Sequence, residues 1–247
     1  MFENNYGWCF HLLDAKKISS IAEIGSRDGL DAIHLSSYFN SKSCYIFEPD
    51  PELGVLIRDN LKKSEGSTEK EFFNIALGEE SKTVTFKSVD RSKYENLGVG
   101  SLHEINFDNR ETTDGDYKRK SVQKDIEVEM KKYIDLDIDT PDLIAMDVQG
   151  AELSVLKGFE DKLKEVYAVI LETSISENYK GGSTFLSIYR YLTSQNFKLV
   201  SNTRNDKNSG LIWEAIKYAL RRRKNYIPDI NLLFLSLIHI SEPTRPY

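Results

Sequence analysis

The chain has 247 residues, 40% of them hydrophobic, which is enough apolar material for one globular domain with a sizeable core. Its formal net charge of -6 argues against general attraction to nucleic acid, which requires a clustered basic excess, and favours a neutral or sugar-like partner. The two cysteines, Cys9 and Cys44, have no CxxC spacing and the histidines have no ligand spacing, so neither a disulfide framework nor a metal site is predicted.

Four apolar runs of strand length occur along the chain, each followed by a segment with helical character: residues 21–24, 44–47, 143–146 and 168–171. This alternation is typical of βαβ units and predicts an α/β fold with a mostly parallel sheet and helices on both faces. The runs end at Gly25, Glu48, Asp147 and Glu172. Ligands of open α/β sheets bind beyond the carboxyl ends of the strands, so these four residues outline one candidate site.

Further strands are predicted at residues 71–76, 82–86, 197–200 and 230–235, with a turn at residues 77–80. The core sheet is expected to contain about seven strands. Apolar residues at helical spacing predict helices at residues 184–194 and 211–220. Residues 90–120 are polar and predict a surface loop or a mobile lid over the site.

Residues 20–29 (SIAEIGSRDG) read as a buried strand, a glycine turn and the start of a helix. Gly25 and Gly29 have GxxxG spacing, with Ser26 inside the turn and Glu23 before it, whereas a dinucleotide site favours GxGxxG. The spacing suits a ligand without a pyrophosphate, such as S-adenosylmethionine. The alternative is an ordinary strand-to-helix turn.

Glu48 ends the next strand, 23 residues after Gly25. A carboxylate at this spacing accepts hydrogen bonds from both hydroxyls of a ribose. The alternative is a solvated loop acid or a neighbour of a helix cap. Asp50 precedes Pro51 and is therefore the better candidate for the cap, which leaves Glu48 for a ligand.

Several segments resemble the FkbM-type methyltransferases: EIGSRDGLDA, YIFEPDPE, FNIALG, PDLIAMDVQGAELSVLKGFED and AVILE. They cover most of residues 21–200 in the order of that family. The most specific is residues 147–152 (DVQGAE), which resembles the family signature D-V-E-G-A-E. Gln149 replaces the usual glutamate, so a role as a base at this position is in doubt.

The resemblance implies an S-adenosylmethionine-dependent enzyme that methylates hydroxyl oxygens on a Rossmann-like class I methyltransferase fold. It also implies a cofactor pocket that includes Gly25, Glu48, the stretch from Asn74 to Ala76, and Ser101. From the residues alone, Asn74 and Ala76 can equally be a routine strand end. Ser101 can equally belong to a flexible glycine-containing loop.

Asp147 is the first candidate for orienting or deprotonating an acceptor hydroxyl, because it ends a central strand. Its alternative is to cap a helix that begins near Gly150. Glu172 closes a very apolar strand and is a second candidate, since a carboxylate there needs a partner or a function. His103 is a third candidate base, and its alternative is a solvated loop residue. Glu152 falls in the first turn of the helix near Gly150, where the helix dipole stabilises an acidic side chain.

The predicted partner is a small-molecule or glycan acceptor of unspecified identity, and the pattern leaves the oligomeric state open. A nicotinamide-dependent oxidoreductase is an alternative, against which the GxxxG spacing and the DVQGAE segment argue. A catalytically degenerate cofactor-binding module is another, suggested by Gln149. No apolar run reaches the roughly 18 residues of a membrane span, so a cytoplasmic protein is expected.

Residues 235–246 (LSLIHISEPTRP) resemble the translation of a sequencing-library transposon adapter. We therefore expect residues 1–235 to form the single methyltransferase domain and residues 236–247 to be a non-native tail that is excluded from fold reasoning.

Overall fold

A computed structural model describes residues 6–91, 98–107, 123–202 and 230–239. Its strands are β1 (Ser20–Ile24), β2 (Ser43–Phe47), β3 (Glu69–Phe73), β4 (Ala76–Leu77), β5 (Lys82–Val89), β6 (Gln123–Lys131), β7 (Leu143–Met146), β8 (Ala168–Thr173), β9 (Phe197–Asn202) and β10 (Ile230–Ser236). Its α-helices are α1 (Leu30–Phe39), α2 (Pro51–Lys63), α3 (Glu152–Gly158) and α4 (Phe185–Ser194). The predicted helix at residues 211–220 and most of the predicted loop at residues 90–120 lie outside the described residues.

The central sheet has seven strands in the order β3-β2-β1-β7-β8-β10-β9. Strands β3, β2, β1, β7 and β8 are parallel, whereas β10 is antiparallel to both of its neighbours. The predicted Rossmann-like α/β class with about seven strands is confirmed. The chain runs outward from β1 to β2 and β3 on one side and places β7 on the other, so the topological switch point lies between β1 and β7. Such a point is where α/β sheets of this kind bind ligands.

Both faces of the sheet are covered, which explains why all five residues of β1 are buried. Ile21 packs in one core with Leu35 of α1 and Ile57 of α2. Ile24 packs in the other core, which includes Leu156 of α3 and Ile188 of α4. Burial on two faces produces the continuous apolar runs that mark these strands in the sequence.

A second sheet of three strands, β4-β6-β5, lies outside the predicted arrangement. The prediction of one strand at residues 71–76 is wrong, because β3 ends at Phe73 and Ala76 pairs with Met130 of the second sheet. Asn74 lies at the break, where its side-chain amide donates to the Glu48 carbonyl at 2.7 Å. The strand predicted at residues 82–86 extends to Val89 and pairs with β6.

The ends of two other elements differ from the predictions. Strand β8 continues to Thr173, so Glu172 lies within it rather than at its end. Strand β10 includes Ser236, the first residue of the predicted tail, and the Leu237 amide donates to the Asn196 carbonyl at 2.8 Å. The foreign origin of residues 236–247 stays a prediction.

Candidate functional site

A cleft of about 850 Å³, counted out to its mouth, lies at the carboxyl ends of β1, β2 and β7. The predicted site residues that line it are Glu23, Gly25, Ser26, Glu48, Ala76 and Asp147. Ile75, inside the predicted stretch from Asn74 to Ala76, also lines it. The lining residues that the sequence does not predict include Tyr6, Arg27, Asp31, Leu53, Leu77, Phe86 and Val89. Three of the four predicted strand-end residues, Gly25, Glu48 and Asp147, therefore line this cleft, and Glu172 does not belong to its described lining.

Gly25 makes the turn after β1 possible for two reasons. Its φ is +85°, a left-handed conformation that side chains disfavour. A Cβ at this position would also lie 2.0 Å from the carbonyl oxygen of Asp147. The amides of Gly25 and Ser26 both donate to the Phe47 carbonyl, at 2.9 and 3.1 Å, so the turn is fastened to β2. Glycine thus lets the ends of β1, β2 and β7 meet.

Glu48 is a buried carboxyl group held by the backbone on both sides. Its two oxygens accept from the amides of Arg27 at 3.1 Å and Asp50 at 2.9 Å. Burial raises the pKa of Glu48 to about 7, although these hydrogen bonds oppose the shift. A carboxylate has about four acceptor positions, so capacity remains for a ligand.

Asp50 has the capping role that the sequence predicts for it. One of its carboxylate oxygens accepts from the Glu52 amide at 2.9 Å in the first turn of α2, and the other accepts from the Ser88 hydroxyl. One oxygen of Asp50 thus binds the start of α2 and the other binds a β5 side chain, which gives Asp50 a structural role between these two elements.

Glu23 is the most deeply buried acid of the cleft, with 1% of its surface exposed. Burial raises its pKa well above the usual value, against a hydrogen bond from the Ser26 hydroxyl that favours the charged form. Burial likewise raises the pKa of Tyr6, with the charge of Glu23 adding to the shift. The inner wall of the cleft therefore favours protonated groups.

Asp147 follows β7, and its carboxylate contacts Gln149. The Gln149 side-chain amide donates to Asp147 Oδ1 at 2.6 Å and accepts from the Tyr179 hydroxyl at 2.6 Å. The Ser101 hydroxyl donates to the Gln149 carbonyl at 2.7 Å. Helix α3 begins at Glu152 after the cap residue Ala151, so the alternative that Asp147 caps this helix is wrong.

Three predicted cofactor residues support the cleft from outside its described lining. Gly29 is the N-cap of α1 with φ +77°, and a Cβ on it would lie 3.3 Å from Ile57 Cγ2. The Asn74 amide donates to the Glu48 carbonyl, and a Cβ on Gly54 would lie 3.3 Å from the Asn74 side chain. The Ser101 hydroxyl donates to the Gln149 carbonyl. Glu172, the second predicted catalytic residue, is paired with Asn231 within the sheet. It is also outside the described lining.

A second groove adjoins the cleft at Leu102, which lines both, and at Gly150. Its other lining residues are Glu79, Glu80, Lys82, Val84, Thr85, His103, Met130, Leu153, Ser154, Lys157, Gly181 and Ser183. Burial lowers the pKa of His103, which keeps its ring neutral. Nδ1 lies 3.1 Å from the Lys180 carbonyl, which can only accept, so we assign the proton to Nδ1 and a lone pair to Nε2.

Glu152 lies in the first turn of α3, as the sequence predicts, and it is buried. Its carboxylate accepts from the Gly150 amide at 2.9 Å and the Ser183 hydroxyl at 2.6 Å. Burial raises its pKa to about 7, with the charge of Asp147 among the smaller causes. It ties the turn before α3 to the segment before α4.

A seven-stranded Rossmann-like sheet with a glycine turn after β1 and a buried acid after β2 defines the class of α/β proteins that bind a nucleoside-containing cofactor. Residues 23–199 match the family model described as Methyltransferase FkbM domain. Since this match covers more than half of the 247 residues, the chain belongs to the FkbM methyltransferase family. The nicotinamide-dependent and catalytically degenerate alternatives receive no support from it.

Two known proteins similar to this chain extend the comparison. It is 27% identical over 190 residues to 2-O-methyltransferase NoeI of Sinorhizobium fredii, which covers 73% of each chain. A crystal structure of methyltransferase FkbM from Methylobacillus flagellatus superposes with a TM-score of 0.51 at 13% identity, over 87% of this chain. This chain spans only 44% of the length of that protein, and the likeness concerns the fold.

No helix among the described residues combines the length and the apolar character that a membrane crossing requires. Within the same ranges, no group of three or more His, Cys, Asp or Glu side chains is arranged to hold a metal ion.

Proposed function

We propose that this chain transfers the methyl group of S-adenosylmethionine to a hydroxyl oxygen of a sugar or another small molecule. The observation that carries the proposal is the convergence of Gly25, Glu48 and Asp147 on one cleft at the switch point of the sheet. Membership of the FkbM family supports methyl transfer. The name of the relative NoeI, a 2-O-methyltransferase, supports oxygen as the atom that is methylated.

The charges of the cleft suit a cationic cofactor better than a dinucleotide. Among the described lining residues, the Arg27 guanidinium lies with five carboxyl groups: Glu23, Asp31, Glu48, Asp50 and Asp147. Burial favours the neutral form of Glu23, but the other carboxylates, when ionised, attract a sulfonium and an ammonium group and repel a pyrophosphate.

The side chains also match the separate parts of this cofactor. Glu48 has acceptor capacity for the two ribose hydroxyls, and the bare backbone at Gly25 allows close approach. Leu53, Ile75 and Phe86 offer an apolar wall for a flat base. When bound, the cofactor supplies an electrophilic methyl group on a positively charged sulfur.

Asp147 would orient the acceptor hydroxyl and take its proton. The methyl group would move from sulfur to that oxygen as the carbon–sulfur bond breaks, which would leave S-adenosylhomocysteine as the neutral thioether. Oδ1 of Asp147 is held by Gln149, so the carboxylate has a fixed direction relative to the end of β7. The apolar wall excludes water, which would otherwise solvate the hydroxyl and misalign the attack.

The second groove is the proposed acceptor site, because it opens beside the cleft at Leu102. Its charges are paired within the groove: Lys157 lies 2.9 Å from Glu79, and Lys82 contacts Glu80. With His103 neutral, the described lining of the groove carries no net charge and suits a neutral, hydroxylated acceptor.

Calorimetry with S-adenosylhomocysteine tests the cofactor, with NADH as the comparison ligand. We expect saturable binding of the first and none of the second. Turnover is tested by incubating the chain with S-adenosylmethionine and panels of neutral sugars, uronic acids and amino sugars. Mass spectrometry should detect a gain of one methyl group on a neutral sugar; methylation restricted to the charged panels would contradict the groove assignment.

Glu48→Ala should weaken S-adenosylhomocysteine binding by about 1.5–3 kcal/mol, the usual loss for a hydrogen bond to a charged group. In the unmodified chain, affinity should also fall about tenfold between pH 8 and pH 6. The reason is that Glu48 has a pKa of about 7 and the ribose requires its ionised form.

The controls separate Glu48 from the other acids. Glu48→Gln should bind weakly with less pH dependence, and Glu52→Ala, which removes an exposed acid from the following helix, should bind normally. Unchanged affinity of Glu48→Ala in calorimetry would remove Glu48 from the cofactor site.

Thr85→Trp should raise the KM for a neutral sugar acceptor at least tenfold and leave S-adenosylhomocysteine affinity unchanged, because the indole fills the second groove outside the cofactor cleft. Thr83→Trp is the matched control: Thr83 is exposed on the same strand, two residues away, and is not part of the described groove lining. Equal KM values for the two variants would argue against this groove as the acceptor site.

A further inference from the structure

We propose that Gln149 is a positioning residue that keeps the Asp147 carboxylate ionised and aimed at the acceptor. The inference rests on the proposed role of Asp147 in methyl transfer. It assigns a purpose to the one departure of this chain from the D-V-E-G-A-E signature.

The orientation of the Gln149 side-chain amide is determined by its two neighbours. Asp147 Oδ1 lies 2.6 Å from Gln149 Nε2, and the Tyr179 hydroxyl lies 2.6 Å from Gln149 Oε1. Reversing the amide would set its oxygen 2.6 Å from a carboxylate oxygen, which is repulsive. The N–H of the amide must therefore face Asp147, and the buried Tyr179 hydroxyl must donate to the other end.

The backbone holds Gln149 in an unusual conformation. Its φ is +53°, and the following Gly150 has φ +102°. Left-handed conformations of residues other than glycine cost about 1–2 kcal/mol. Ser101 stabilises the turn by donating to the Gln149 carbonyl at 2.7 Å, and a Cβ on Gly150 would lie 3.0 Å from Tyr179. The turn is thus held by contacts on two sides, and it presents the amide to Asp147.

Charge explains why an amide matters at this position. Among the described residues, Tyr6, Glu48 and Glu152 each interact electrostatically with Asp147, and each of them becomes an anion when it ionises. When ionised they favour protonation of Asp147, and the N–H of Gln149 opposes them by favouring its charged form. A glutamate at 149 would set two carboxyl groups at about 2.6 Å, where they share one proton, so this proton would be held to a higher pH than in the present chain.

The test is a pH titration of the Asp147 carboxyl carbon by NMR, on protein labelled with ¹³C-aspartate and assigned with Asp147→Asn. It needs no acceptor. Gln149→Glu should raise the titration midpoint of Asp147 by at least about one pH unit. Gln149→Met, which removes the donor without adding charge, should raise it less, and Tyr179→Phe less again.

A midpoint in Gln149→Glu equal to that of the unmodified chain would overturn the proposal, as would a larger shift in Gln149→Met. If Gln149→Glu does not fold, an unshifted midpoint in Gln149→Met overturns it instead. Once an acceptor is identified, the apparent pKa of the acid limb in the pH–rate profile of Gln149→Glu should rise by the same amount. If the variants show the expected order of midpoint shifts while Asp147→Asn turns over at the wild-type rate, Gln149 remains the partner of Asp147 but Asp147 is refuted as the base.

Discussion

Replacing Asp147 by asparagine is expected to lower turnover about 10²-fold or more, while S-adenosylhomocysteine affinity stays within a few-fold. Asparagine has the same size, and its oxygen can still accept from Gln149 Nε2, which lies 2.6 Å from Oδ1 of the native aspartate. It cannot take a proton from the acceptor hydroxyl. The variant therefore removes the chemistry and keeps the geometry.

The measurement is the rate of S-adenosylhomocysteine release at saturating acceptor, together with calorimetry and the melting temperature. Glu172→Gln is the matched control, because Glu172 also follows an apolar run but lies outside the described lining of the cleft. It should turn over normally. A wild-type rate for Asp147→Asn across neutral pH would shift the search for a base to His103, whose Nε2 carries the lone pair.

The sequence predicts the strands that are buried on both faces of the sheet, because their apolar runs are recognisable without knowing which distant residues they contact. Strands β1, β2, β7 and β8 are recognisable because both faces of the sheet are covered, which makes each strand a continuous apolar run. Gly25 and Glu48 are recognisable because the turn after β1 and the acid after β2 lie at a characteristic spacing. These local signals are sufficient to outline one side of the cleft.

The remaining features depend on contacts between residues far apart in the chain. The break at Asn74 exists because its amide reaches the Glu48 carbonyl, 26 residues away. Tyr6 reaches the cleft from a segment without a motif, and Tyr179 meets Gln149 across 30 residues. Neither contact leaves a periodic pattern, so no reading of local sequence could supply them. The sequence analysis predicts no strand at β6, which pairs with both β4 and β5, and therefore does not predict the second sheet.

Gly25→Ala should abolish measurable S-adenosylhomocysteine binding and lower the free energy of unfolding by about 3 kcal/mol or more. The reason is that alanine there meets two penalties at once. It would adopt φ +85°, and its Cβ would lie 2.0 Å from the carbonyl oxygen of Asp147, a backbone atom that cannot rotate away. Relief requires the ends of β1 and β7 to separate, which widens the cleft where the cofactor should lie.

Gly66→Ala separates the two penalties. Gly66 has φ +108°, but its Cβ would meet no atom within 4 Å, so this variant suffers only the conformational cost of about 1–2 kcal/mol. It should melt a few degrees lower and bind S-adenosylhomocysteine normally. If Gly25→Ala behaves like Gly66→Ala in both melting temperature and affinity, the close contact between the turn after β1 and the end of β7 does not govern the site. If only Gly25→Ala loses affinity, the contact between Gly25 and Asp147 sets the distance between the cofactor and the proposed base.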